Sequence, residues 1–300
     1  MTLADSLSIK PDSRRARRLE DVNPEDFAWS IPIMHAGYAG RGLVYLVVAG
    51  VSLWSMLRGG QAEGTSEAMQ SLQGGWGTAV IVLIALGMFA YALWRLVDCI
   101  WDLEAYGRDA KGLVARAGML VTGAAHLGIG GLALTLLIGR SGGSSGRQML
   151  DSVLQNPGGQ LAVGVAGLLT IGAGVYYLHK AMTEEYRNHL RANSVTTHMN
   201  GALKAGLAAQ GVVIGIIGML ICYAALQANA SEAGGLGSAF DWLQGQVYGR
   251  VLVGLLCLGL LGFSLFCFVN AGYRIIPKAA DRGIESLGAR LRAAAENATG

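Results

Sequence analysis

The sequence predicts an all-α membrane protein whose six transmembrane helices form three tandem helical-hairpin repeats, pseudo-threefold about the membrane normal. Three observations predict this class. Hydrophobic residues make up 52% of the 300 and charged residues 14%, against roughly 25% charged in soluble domains. This composition excludes a disordered chain, a secreted disulfide scaffold and an ordinary soluble enzyme. Six apolar runs, at roughly 33–57, 78–101, 113–138, 160–181, 203–227 and 250–271, are each long enough at 1.5 Å per residue to cross a hydrocarbon core of about 30 Å. Motifs in these runs recur every 81–90 residues, as tandem structural units do.

Taken in order, residues 1–30 are polar, mixed in charge and without an apolar period. They are expected to form a flexible cytoplasmic segment, with Phe27 and Trp29 before Pro32 marking an interfacial stretch. A cleaved signal peptide is not expected, because more than 30 such residues precede the first apolar run. Repeat 1 covers 31–107, repeat 2 covers 108–190 and repeat 3 covers 191–276, with two spans in each. Lipid offers the backbone no water to bond. The runs are also too long and too uniformly apolar for barrel strands, so each reads as a helix. Between the spans of each repeat, Leu72-Gln73, Leu154-Gln155 and Leu243-Gln244 precede a glycine or proline break and suggest short interfacial helices near Trp76, Trp242 and Tyr248. Residues 277–300 read as an amphipathic cytoplasmic tail, with Ile284, Leu287, Leu291 and Ala294 on one stripe, suited to resting on the membrane surface or docking a partner.

Lys and Arg divide 19 to 4 between the two sides that six spans define. The positive-inside rule then places both termini in the cytoplasm of a multi-pass plasma-membrane protein. This asymmetry accounts for the net charge of +3, and nucleic acid is not an expected partner. The four cysteines, Cys99, Cys222, Cys257 and Cys267, lie in or at the ends of spans and read as small packing residues.

The run Ala-Gly-Tyr-Ala-Gly-Arg-Gly-Leu-Val-Tyr from Ala36 to Tyr45 has weaker echoes beginning at Ala117 and Ala205. Glycines coincide at Gly37, Gly118 and Gly206, and again at Gly42, Gly123 and Gly211. The even-numbered spans end alike after Gly87, Gly172 and Gly262, the first closing on Tyr-Ala-Leu-Trp-Arg at Arg95. These residues resemble a bacterial membrane-protein family known as domain of unknown function 1206, built of repeated two-helix units. The resemblance spans about 33–275 and implies a bacterial inner-membrane protein. It implies no activity, cofactor or catalytic residue. The 45 glycines, about twice ordinary usage, are expected to let helices approach closely, with the odd-numbered helices facing one another.

An ionisable residue inside a span costs several kcal/mol unless paired, and is a candidate site by default. Arg41 stands about 12 Å along span one at 1.5 Å per residue. Tyr38 and Tyr45 share its helical face, and its repeat equivalents are Thr122 and Gln210, with His126 equivalent to Tyr45. A candidate ligand site therefore comprises Arg41, Tyr45, Thr122, His126 and Gln210. The alternative has Arg41 reaching toward the headgroups or pairing with Asp98. Arg95 and Asp98, at i and i+3, can pair with each other at the membrane edge. His126 and His179 differ by more than 10 Å in depth at 1.5 Å per residue, so they cannot share a haem iron, and no cofactor or metal is expected. No motif for phosphate cradling, zinc hydrolysis or a serine nucleophile is present.

Together these readings favour a non-enzymatic accessory or scaffold module that binds membrane lipids, a membrane-protein partner or a second copy of itself. The alternative is a small channel or transporter with a polar site near Arg41 and His126.

Overall fold

The computed structural model describes residues 13–20, 22–139, 150–280 and 284–299. Among these, six helices are long and apolar enough to cross a membrane: α1 (Ser30–Leu57), α2 (Gly75–Trp101), α3 (Ala110–Leu137), α4 (Pro157–Thr183), α5 (Asn200–Gln227) and α6 (Gly249–Tyr273). The protein is an all-α, multi-pass membrane protein. Local chemistry sets the helix ends. The Asp109 side chain accepts from the Gly112 N–H at 3.0 Å and caps α3. Pro157 opens the first turn of α4, where its missing N–H costs nothing. Asp102, in the left-handed region at φ 52°, ends α2. Its carboxylate accepts from the N–H groups of Tyr106 and Gly107 at 2.9 and 2.8 Å.

The six helices form an arc that runs α4, α5, α6, α1, α2, α3. α1 packs on α2 and on α6, α2 on α3, α6 on α5 and α5 on α4. Among the described residues, α3 and α4, the two helices of repeat 2, are the one pair of ring neighbours without a comparable contact. Burial follows this order: 11% of the most apolar stretch of α4 and 28% of that of α3 is buried, against 39–44% for the other four.

Glycines set these contacts, and they differ from the expected odd-on-odd arrangement. Every odd helix packs against even ones. The first glycine of repeats 1 and 3 faces the even helix of its own repeat: a Cβ on Gly37 would lie 2.7 Å from the Tyr91 Cα, and one on Gly206 would collide with Gly262 and Phe263. The second faces the even helix of the preceding repeat around the ring. Gly42 lies against Phe268 of α6, Gly123 against Arg95 of α2 and Gly211 against Leu178 of α4. Gly118 breaks the pattern and faces open space, as does Gly172 of α4. The repeat symmetry thus holds at five interfaces and fails at the sixth.

Two caps cover the bundle ends. At the end carrying the termini, the 184–199 connection and the tail join through antiparallel bridges, Leu190 to Arg274 and Arg191 to Ser286. The tail helix Leu287–Thr299 begins with a fully buried Leu287, and Leu291 packs on the same cluster as Tyr186 and Phe266. The start of the apolar stripe read in the tail is therefore held by protein contacts. Part of the N-terminal segment expected to be flexible is helical (Arg14–Glu20), because Ala16 and Leu19, three residues apart, both find burial. At the opposite end lie short helices Thr65–Gln70 and Leu236–Gln244, where Gly64 and Gly237 abut. Lys10, Arg140, Arg147 and Arg282, counted in the charge asymmetry, lie outside the described residues.

Leucine at Gly40, whose Cα abuts Gly87, or at Gly206 is expected to cost more than the roughly 1–3 kcal/mol of ordinary overpacking, because backbone stands in the way. The measurement is the thermal midpoint in mild detergent. Leucine at Gly118 or Gly172 should leave that midpoint unchanged, and equal losses at both pairs of positions would contradict the open α3–α4 seam.

Candidate functional site

Arg41 lies eleven residues, about 17 Å, into α1, and is 4% exposed. Small neighbours on the same helix, Gly37, Gly40 and Gly42, let α2 and α6 approach closely enough to surround it. Its Nη1 donates to the Tyr91 hydroxyl of α2 at 3.0 Å, and its Nη2 donates to the Tyr177 hydroxyl of α4 at 3.4 Å. The guanidinium carbon sits 4.9 Å from the centre of the Phe263 ring of α6, 5.3 Å from that of Tyr91 and 5.9 Å from that of Tyr45. One side chain from α1 thereby touches α2, α4 and α6.

Neutral oxygens and aromatic faces stabilise a cation without neutralising it. Cation–π contacts contribute about 0.5–2 kcal/mol each, whereas desolvating an ion costs several kcal/mol. Among the described residues Arg41 has no carboxylate partner, and its Nε, also buried, has no acceptor. Asp98, the partner considered from sequence, is engaged elsewhere. It lies 3.4 Å from Arg95 Nη1 and accepts from the Glu104 N–H at 3.3 Å.

Two further residues predicted from the repeats join this centre. Gln210 of α5 donates to the Tyr45 hydroxyl at 2.8 Å, leaving its own buried Oε1 without a donor. His126 of α3 stacks obliquely on Tyr91 with ring centres 4.5 Å apart, and its Nδ1 is 2.7 Å from the carbonyl of Thr122. Thr122 itself does not join. Its hydroxyl donates to the Gly118 carbonyl one turn back, at 2.6 Å.

Below this centre, toward the termini, a buried ionic layer continues the polar track. The Tyr91 hydroxyl accepts from Arg95 Nε and Nη2 at 3.1 and 3.0 Å, and Arg95 Nη2 also lies 3.4 Å from the Tyr38 hydroxyl. Glu104, 1% exposed, receives Arg274 Nη2 at 2.5 Å and lies 3.4 Å from His189 Nε2. Arg274 also donates to Asn270 Oδ1 at 2.9 Å. Burial acts to lower the affinity of Arg274 for its proton, but the adjacent Glu104 carboxylate outweighs it, so the pKa lies above the usual arginine value. This layer carries its own counter-charges. The Arg41 level does not.

Sequence reasoning missed Tyr91, Tyr177 and Phe263, the residues that hold Arg41. Their signal was present in the aromatic endings of the even spans. The repeat register misleads at one point: Tyr176 is the equivalent of Tyr91, yet Tyr177 is the residue that turns inward. Tyr91 and its other equivalent, Phe266, are 0% and 7% exposed, whereas Tyr176 is 50% exposed.

The helical repeats and the central arginine define a multi-pass membrane protein made of three two-helix units. The matching segments are 36–102, 117–184 and 205–274, and the chain belongs to the family described as Domain of Unknown Function (DUF1206). It is similar to the uncharacterized protein YxxB of Bacillus subtilis (strain 168), 23% identical over 264 residues that cover 86% of this chain and 96% of the relative. No solved structure matches it.

Phenylalanine at Tyr91 keeps the ring and removes the hydroxyl shared by Arg41 and Arg95. The expected loss is about 1.5–3 kcal/mol of stability, the range for a hydrogen bond to a charged group. In a double-mutant cycle of denaturation midpoints, Tyr91→Phe and Arg41→Gln should couple, and strict additivity would contradict the shared network.

Proposed function

We propose that this chain is a non-enzymatic accessory module of the bacterial plasma membrane, with both termini in the cytoplasm, that binds the anionic group of a membrane lipid at Arg41. The observation that carries this reading is a buried guanidinium with an unused donor, held by tyrosine hydroxyls and without a carboxylate among the described residues. A guanidinium presents planar paired donors that match the oxygens of phosphate or carboxylate, and it is more weakly hydrated than an ammonium. An incoming anion would supply the charge that the two phenols cannot. The 19 to 4 division of Lys and Arg supports the orientation. In that orientation the ionic layer of Glu104, Arg274 and His189 lies on the cytoplasmic side, where basic pockets between helices commonly receive anionic headgroups.

The same arginine would suit a channel or carrier for small anions. The aromatic packing around it favours the lipid reading: Phe263 is fully buried, and Tyr45 meets it edge-on at 4.8 Å. These rings pack on the guanidinium itself, with centres 4.9 and 5.9 Å from its carbon, respectively.

Native mass spectrometry of the full chain, extracted from its membrane in mild detergent, tests the proposal. The wild type is expected to retain an anionic phospholipid, and Arg41→Gln to retain it about 10- to 100-fold less, the equivalent of one charge-assisted contact. Equal retention by both proteins, or retention of neutral and anionic lipids alike, would overturn it.

A further inference from the structure

We propose that the open seam between α3 and α4 of repeat 2 is the lateral path by which a cytoplasmic-leaflet anionic lipid reaches Arg41, with Lys180 receiving its headgroup and the two helices receiving an acyl chain. This rests on the reading of Arg41 as an anion site and names the route and the second cation.

The seam is written into the side chains. In repeat 1 the hairpin closes with Gly40 against Gly87, and in repeat 3 with Ala209 against Gly259. The repeat register places Val121 where repeat 1 has Gly40, and Leu169 where repeat 3 has Gly259. Both are 71% exposed. Val121 thus stands where the odd helices of the other repeats meet their partners through Gly40 or Ala209, and repeat 2 does not close as its sisters do. Gly118 and Gly172, whose equivalents are clamped in repeats 1 and 3, meet open space. The unclosed apolar surface left on these two membrane-length helices, with Gly118 and Gly172 exposed on it, is the proposed slot.

Charge identifies the occupant. Lys180 is the repeat equivalent of Arg95, three residues from the end of α4 nearer the termini. Arg95 pairs with Asp98 on its own helix and reaches Tyr38 across its closed hairpin. Lys180 has no ion pair or hydrogen bond among the described residues, and its nearest ring is that of the exposed Tyr176, 6.0 Å away. Its charged surroundings are the cations Arg274 and Arg95, which repel it, and the carboxylates Glu104 and Glu185. Glu104 is already held by Arg274 and His189, and Glu185 is exposed. Arg41 extends from α1 toward the same helix and ends at Tyr177, three residues before Lys180 on α4. Two unneutralised cations therefore flank the seam, one at headgroup depth and one deeper. A single negatively charged amphiphile satisfies both and fills the slot. A partner helix would satisfy the slot alone.

The experiment places the full chain in phosphatidylcholine nanodiscs doped with phosphatidylglycerol bearing a photoreactive acyl chain. Labelled peptides are then mapped, with photoreactive phosphatidylcholine as the neutral comparison. Labelling by the anionic probe should concentrate on 113–138 and 161–180 and exceed that by the neutral probe. Lys180→Gln should lower it about fivefold, the effect of one basic residue at the membrane surface. Leu169→Trp, which fills the slot from an exposed position, should abolish it, while Leu83→Trp on the outer face of α2 should not. Labelling spread evenly over the outer faces of all six helices would overturn the proposal. So would equal labelling by the two probes, or a cross-linked dimer through the seam. If Arg41→Gln releases the lipid in detergent but Leu169→Trp leaves seam labelling intact, the route fails and the arginine site stands. If Arg41→Gln keeps its lipid, the site itself fails.

Discussion

The structure depends on one unneutralised charge. Arg41 is brought to the middle of the bundle by a helix whose neighbouring glycines let α2 and α6 close around it, and it is stabilised there by two phenol hydroxyls and three aromatic rings. An arginine in that position draws the polar groups of adjoining helices inward, because a buried donor without an acceptor is costly. Tyr91 answers both Arg41 and Arg95, and so links the neutral centre to the ionic layer below it. The consequence is a polar track that is balanced in charge at its lower end and positive at its upper end.

Around this centre the three repeats supply a common rule of assembly. Each odd helix offers one glycine to the even helix of its own hairpin and another to the even helix of the neighbouring hairpin. In lipid, where helices gain no hydrophobic drive from associating, such close approach is the principal source of attraction. The rule is obeyed by α1, α2, α5 and α6 throughout. It is also obeyed where α3 meets α2 and where α4 meets α5 along a glycine-lined contact formed by Gly174, Gly211, Gly215 and Gly218. It lapses only where repeat 2 would close on itself, so one fold unit has kept its outer contacts and given up its inner one.

Much of this was legible in the sequence because the signals are local and repeated. Span lengths follow from runs of apolar residues, and the three-hairpin organisation follows from the matched glycines and the aromatic endings. Arg41, Tyr45, Gln210 and His126 could be placed together because they occupy equivalent depths in equivalent helices. Two things were not legible. The pairing of odd with even helices depends on which face each glycine presents, and recurrence alone leaves that face open. The partners of Arg41 depend on χ angles and on a one-residue offset, Tyr177 instead of Tyr176, that no alignment of the repeats indicates. The seam lay between these cases. Val121 was readable as a departure from the Gly40 and Ala209 of its sister repeats, but its meaning required knowing that this position faces the partner helix of a closed hairpin.

An open hairpin beside an uncompensated arginine gives a physical form to the proposed role of this DUF1206 protein as a lipid-binding membrane module. The five closed interfaces hold the geometry, and the sixth leaves room for a molecule from the bilayer. The most direct test is a high-resolution density map of the wild-type chain in nanodiscs of its native lipids. The account predicts elongated density between α3 and α4, with a headgroup at Lys180 and its anionic oxygens directed toward Arg41. A map in which α3 and α4 pack together without such density, or in which a carboxylate of the chain occupies the Arg41 site, would contradict it.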